Sequence, residues 1–332
     1  MRVAIKSIAQ SFVLGVALIT GQGLAHDGHA VPVPTASKSG TQIQTAGLAF
    51  WDTLNAAQRA SLAYAFKGPE AADYWSASRN DAADTLGLRL SELSQDQRKL
   101  VDDLLIASTS SQGFFKIRAA MQHERSPDVH RIAIFGSPQS GDFWSFSLNG
   151  PHLRYNVMVL NGHMVLMPVF YSVAAPTEDD TPLPQEFMRG YELMNSLTPD
   201  QQSAAVVASS VPEAKPYRFE QQGISGDQLR PDQRSLMWKL IVEYVANSDF
   251  DFAADHFERI HSGGWQNLYF MWMGPTDGTG PVIYRVSGPS ILIEFAAMRA
   301  GSDEAFHPHV LIRDPNNAHG ANWLVHHISQ HH

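Results

Sequence analysis

The chain has 332 residues, with 24 Lys and Arg against 33 Asp and Glu for a net charge of −9, and it contains no cysteine. Without cysteine, zinc–thiolate centres, thiol nucleophiles and disulfide frameworks are excluded, and stability must come from packing. An acidic chain without basic clusters argues against nucleic acid and anionic membrane surfaces as partners.

The chain opens on a pattern for export. Arg2 and Lys6 precede an apolar run from Phe12 to Ile19, followed by the small residues Gly23 and Ala25. That order predicts a cleavable signal peptide over residues 1–25, because the run is too short to span a bilayer. Cleavage after Ala30 is an alternative. Loss of residues 1–25 leaves 22 basic against 33 acidic side chains, or −11, in a product expected to be periplasmic or secreted. Residues 26–46 are rich in Pro, Ser, Thr, Gly and Gln and are expected to form a mobile leader. If His26 becomes the N-terminus, its amine and ring can together grip copper; a loose metal-scavenging tract His26-Asp-Gly-His29 is the alternative.

Four helix starts share one grammar: Leu54-Asn-Ala-Ala-Gln58, Leu93-Ser-Gln-Asp-Gln97, Leu197-Thr-Pro-Asp-Gln201 and Leu229-Arg-Pro-Asp-Gln233. Three place Asn, Ser or Thr at the N-cap with Gln three residues on, a capping box. Two place Pro at the first helical position, where its missing N–H costs nothing. Strand signals follow. Phe143–Leu148, His152–Leu160 and His163–Phe170, separated by Asn149-Gly150 and Asn161-Gly162, read as a meander, since Asn-Gly accepts the positive φ of tight hairpins. Val282–Val286, Ser287-Gly288, Ser290–Met298 and His307–Arg313 repeat the plan.

At an offset of 138 the two stretches align without a gap: Gly136 meets Gly274, Phe146 meets Tyr284, Leu148 meets Val286, and Gly150-Pro151 meets Gly288-Pro289. Helix pairs precede both meanders. The expected fold class is therefore α+β with an internal duplication, residues 47–190 and 191–332 each packing helices beside an antiparallel meander. A single α+β domain with coincidental turns is the alternative.

A set of ordered motifs then carries a resemblance. Gly87-Leu-Arg-Leu-Ser-Glu-Leu-Ser-Gln-Asp-Gln-Arg98, Gln112-Gly-Phe114, Gly150-Pro-His-Leu-Arg-Tyr-Asn156 and Pro168-Val-Phe170 come first. Tyr284-Arg-Val-Ser-Gly-Pro289, Ile293-Glu294, His307-Pro-His309 and Arg313-Asp-Pro315 close the set. Together they resemble the family named domain of unknown function 3500 (DUF3500) over nearly the whole mature chain. The family typically has Gly-His-His where this chain has Gly150-Pro151-His152, so only the second histidine carries over. The resemblance implies an exported globular protein and brings no activity with it.

Candidate chemistry gathers near the C-terminus, where seven of the fifteen histidines fall between residues 307 and 332. Strand alternation aims His307 and His309 to one face, and Glu294 lies on the expected neighbouring strand. Two imidazoles and a carboxylate suit a divalent metal ion such as zinc, iron, manganese or copper. His152, from the other half, is a candidate fourth ligand. Arg313 shares the face and is placed either to orient an anionic substrate or to pair with Glu294. The terminal His326-His327 and His331-His332 pairs read as a polar tail. No Gly-x-Ser-x-Gly elbow precedes a helix, and Trp144, Trp265 and Trp272 read as core. Two functions stand: a metal-dependent enzyme using Glu294, His307, His309 and His152, or a non-catalytic binding or structural protein. A small-molecule ligand is compatible with both.

Overall fold

In the computed structural model the described residues are 38–66, 86–123, 127–141, 143–160, 162–166, 169–173, 183–211, 221–277, 280–298 and 307–315. The signal segment, residues 26–37 and the histidine-rich end lie outside them. The described residues form a mixed fold of eight helices and one large, mostly antiparallel sheet of thirteen strands.

The helices are α1 (Lys38–Thr53), α2 (Ala56–Leu62), α3 (Gln95–Ser108), α4 (Ser111–His123), α5 (Pro184–Ser196), α6 (Pro199–Ala205), α7 (Pro231–Val245) and α8 (Phe250–Ser262). All four anticipated starts are present, as α2, α3, α6 and α7. Asn55, Ser94 and Thr198 accept from the backbone N–H three residues on, and Gln58, Gln97 and Gln201 return the bond. Arg230 lacks a capping side-chain bond, so α7 has only the returning half, from the Arg230 N–H to Gln233 Oε1 at 2.9 Å.

The leader expected through Ala46 instead enters α1 at Lys38, with Ile43, Phe50 and Trp51 buried. Its small residues serve close approach, not flexibility: a Cβ at Gly40 would collide with the Gly162 backbone. The helix start is held from α8, where the Asp251 carboxylate accepts from the Ser39 N–H at 3.2 Å. A boundary after Gly190 would cut α5, which runs unbroken through that position.

The strands are β1 (Ala63–Tyr64), β2 (Leu88–Arg89), β3 (Arg131–Gly136), β4 (Phe143–Gly150), β5 (Leu153–Leu160), β6 (His163–Leu166), β7 (Val169–Ser172), β8 (Val206–Ala208), β9 (Ile224–Ser225), β10 (Tyr269–Met273), β11 (Val282–Gly288), β12 (Ile291–Met298) and β13 (His307–Arg313). Their order across the sheet is β1-β3-β4-β5-β7-β13-β12-β11-β10-β8. β2 and β9 add to β3 and β10, and β6 adds to β5. Read from either edge inward, the sequence of elements is the same, and β7 meets β13 antiparallel at the centre. The third strand of the first meander is described as two segments, β6 and β7, and residues 167–168 between them lie outside the described part.

Both first hairpins turn two residues later than the sequence suggests. Gly150 pairs with Leu153 and Gly288 with Ile291, so the loop residues are Pro151-His152 and Pro289-Ser290. Proline cannot donate to the ladder and its fixed φ suits the first loop position, which outweighs the Asn-Gly and Ser-Gly signals. At Asn161-Gly162 the turn is where Asn-Gly places it, Leu160 pairing with His163 and Gly162 taking φ +76°.

Alternation divides the sheet into two unlike faces. Trp144, Phe146, Tyr155, Val157, Tyr284, Ile293, Phe295 and Val310 join one apolar cluster with buried residues from all eight helices. Each such aliphatic or aromatic side chain contributes on the order of 1.5–3 kcal/mol by leaving water. The opposite face carries Ser145, Ser147, Asn149, Arg154, Asn156, Ser172, Arg285 and Glu294, all buried.

Candidate functional site

The polar face is ordered by strand register. One row crosses the sheet: Arg285 opposite Glu294, Glu294 opposite Leu311, Leu311 opposite Phe170, Phe170 opposite Arg154, Arg154 opposite Asn149, and Asn149 opposite Arg131. A second row places Ala296, His309 and Ser172 side by side. The Ser172 N–H donates to the His152 carbonyl at 3.0 Å, so His309 and His152 flank Ser172.

Glu294 does lie on the face shared by His309 and Arg313, as alternation requires. Its carboxylate, however, accepts from Arg285 Nη2 at 2.6 Å, and both side chains are buried. The partner considered from the sequence was Arg313, which stands instead opposite Leu292. Burial pushes the Arg313 guanidinium below its ordinary pKa, and the neighbouring charge of Arg285 pushes it further the same way. Two guanidiniums and one carboxylate therefore share this corner.

The proposed metal ligands are spread along the sheet. Glu294 and His309 occupy diagonal positions, about 7–8 Å apart in such a ladder, and the His309 ring lies against Phe170 with centroids 5.6 Å apart. His307 opens β13 opposite Met298, and its side chain lies outside the described part. His152 sits in the β4–β5 loop and not on a strand, because Pro151 moves the turn onto it. Among the described residues no group of three or more His, Asp or Glu could hold a metal ion.

Ser147 and Asn156, also cross-strand partners on this face, bond to each other at 2.6 Å. The polar face thus carries one neutral cross-strand pair and one ionic one.

A second polar centre lies on the helix-covered face and was not read from the sequence. Lys116 Nζ stands 2.7 Å from Glu186 and 2.8 Å from Glu243, all three nearly sealed from solvent. The Tyr171 hydroxyl bonds to the same Glu186 oxygen at 3.3 Å, and the Tyr244 and Tyr284 hydroxyls meet at 2.5 Å. Burial raises the Glu186 carboxyl above its usual range, against the opposing charge of Lys116. Burial likewise holds the Tyr171, Tyr244 and Tyr284 hydroxyls far above ordinary phenols, so they act as neutral donors and acceptors. A void of about 20 Å³ beside Lys116, Tyr171 and Asn247 has room for about one water. Three helices and two strands converge here, and sequence alone gives no signal for which charges meet.

Comparison with known proteins gives one match: the family described as "Protein of unknown function (DUF3500)" covers residues 36–321. Its start falls two residues before α1, so the match takes in every described helix and strand. No curated protein and no solved structure matches the chain. The chain belongs to the DUF3500 family, whose defining sequence is the entire helix-and-sheet assembly described above.

Proposed function

We propose that this protein is an exported, non-catalytic binding protein in which Arg285 and Arg313 hold the anionic group of a small-molecule ligand. The observation that carries this reading is the commitment of Glu294 to Arg285, with a second guanidinium beside them on the same face. A carboxylate bonded to arginine at 2.6 Å is a poor metal ligand, since a cation would have to displace the guanidinium. The same two arginines favour an incoming carboxylate or phosphate, which binds guanidinium through paired N–H donors. Export rests on Arg2, Lys6, the apolar run to Ile19 and the small residues before His26.

We also infer that the chain is an internal duplication. The element order mirrors about β7 and β13, and two glutamine pairs support the same view. Gln58 and Gln97 bond reciprocally between α2 and α3, at 3.0 and 3.1 Å. Gln201 and Gln233 do the same between α6 and α7, at 3.0 and 2.8 Å. Gln97 also reaches the Thr53 carbonyl that ends α1, and Gln233 the Ser196 carbonyl that ends α5.

The competing reading is a divalent metal held by Glu294, His307, His309 and His152, favoured by His309 and His152 flanking Ser172. Thermal-shift titration with small dicarboxylates, on wild type and Arg313→Met, combined with elemental analysis, separates the two. Stabilisation that is lost in Arg313→Met, without stoichiometric metal, is expected. Equimolar metal that disappears in His309→Ala would overturn the binding reading in favour of the metal one.

A further inference from the structure

At the first-half end of the polar row lies a cavity of about 270 Å³, lined by Arg89, Asp128, Val129, Arg131, Asn149 and the Gly150-Pro151 turn. It is separate from the Arg285–Arg313 corner, being on β3 and β4 at the other side of the sheet. Asn149 is only 2% exposed, yet neither its amide nitrogen nor its amide oxygen has a hydrogen-bond partner. Buried amides are almost always bonded, and one left unmet on both sides is destabilising. A native chain retains such a residue where something outside the chain completes it. The turn that places it is not free to change: Gly150 packs on the His130 ring, which a Cβ there would strike.

We propose that this cavity binds a small hydroxylated carboxylate, such as a hydroxy acid or sugar acid. The lining selects that chemistry. Arg89 and Arg131 supply guanidinium charge for a carboxylate; Arg131 spends one N–H, through Nη1, on the Gly87 carbonyl at 2.8 Å and keeps a donor fork. A ligand hydroxyl both donates and accepts, so it can satisfy the Asn149 oxygen and nitrogen together. The Asp128 carboxylate on the same wall takes further hydroxyl donors and disfavours a ligand bearing only negative groups. Val129 and Pro151 are the apolar members among the described lining, too little to hold a hydrophobic ligand. The volume suits a molecule somewhat larger than benzene, which fills a cavity of roughly 150 Å³.

The test is isothermal titration of the full exported chain with glucuronate and with tartrate, using succinate and glucose as partial mimics. Saturable one-to-one binding of glucuronate or tartrate is expected, with succinate and glucose each at least about tenfold weaker. Arg131→Met and Asn149→Leu should each weaken binding about tenfold or more. Because Asn149→Leu alters a buried site, its fold is checked by circular dichroism, and Arg131→Met serves if it fails. Absence of saturable binding by both hydroxylated acids overturns the proposal, as does binding unchanged in Arg131→Met. Binding lost in Arg313→Met but kept in Arg131→Met assigns the ligand to the other corner and also overturns it.

Discussion

Lys116 of α4 holds Glu186 of α5 and Glu243 of α7 at once, at 2.7 and 2.8 Å, on the helix-covered face of the sheet. Beside it the Ser110 N–H donates to the Asn247 carbonyl, and the Asp249 N–H to the Ser108 carbonyl, in reciprocal fashion. Removing the cation leaves two carboxylates buried without compensation, a loss of about 3–5 kcal/mol. Lys116→Met should therefore lower the urea midpoint strongly. Glu186, already raised by burial, should then stay protonated when folded. An acid whose folded pKa exceeds its unfolded value loses stability as pH rises, so this variant should weaken above about pH 4.3. A variant whose stability matches wild type at pH 7 would mean the cluster is open to solvent.

The Arg285–Glu294 pair makes a sharper contrast. Breaking it with Arg285→Leu strands a buried carboxylate and should cost about 3–5 kcal/mol, whereas Arg285→Leu with Glu294→Leu should be close to neutral. Chemical denaturation of the two variants checks this. If the double variant is as damaged as the single one, the pair is tied to other groups that the leucines cannot replace.

The reach of the sequence can be traced to this same pair. Turn and capping signals are local, so all four helix starts, three of them capping boxes, and the Asn161-Gly162 turn were legible. Alternation correctly placed Glu294, His309 and Arg313 on one face. Register was not legible, because Asn149-Gly150 and Ser287-Gly288 read as turns while the prolines after them moved both loops. With the turn at Ser287-Gly288 and the next strand from Ser290, Glu294 falls opposite Val282; in the structure it falls opposite Arg285. Small errors of register change every cross-strand partner. Lys116, Glu186 and Glu243 could not be found at all, since they are joined only by tertiary packing across up to 127 residues.

The glutamine pairs test the duplication energetically. Gln97 bonds to the Ser94 N–H, to Gln58 and to the Thr53 carbonyl, and Gln233 bonds to the corresponding groups at Arg230, Gln201 and Ser196. Each truncation to alanine leaves these groups unmet in a partly buried place. Gln97→Ala and Gln233→Ala should each cost about 1–3 kcal/mol, and by similar amounts. Denaturant unfolding would reveal it; a large loss for one and none for the other would show that the two pairs do not carry equivalent roles.

His256 on α8 gives the pH dependence of the native protein. Its Nε2 lies 2.7 Å from the Ser290 carbonyl, so the neutral ring donates there, and the side chain is buried beside Phe252. Burial lowers its pKa from 6.5 to about 4, outweighing the carbonyl's pull in the other direction. Below pH 6.5 the unfolded chain gains a proton on this ring that the folded chain refuses until about pH 4. Stability must therefore fall as pH drops through that window, by a total on the order of 3 kcal/mol. His256→Gln, whose amide keeps a donor and does not titrate, should flatten the decline between those limits. It should leave stability at pH 7.5 within about 1–2 kcal/mol of wild type. Urea unfolding at half-unit pH steps provides the measurement. An unchanged slope in His256→Gln would mean that other groups carry the acid sensitivity and that the ring takes up its proton alike in the folded and unfolded chain.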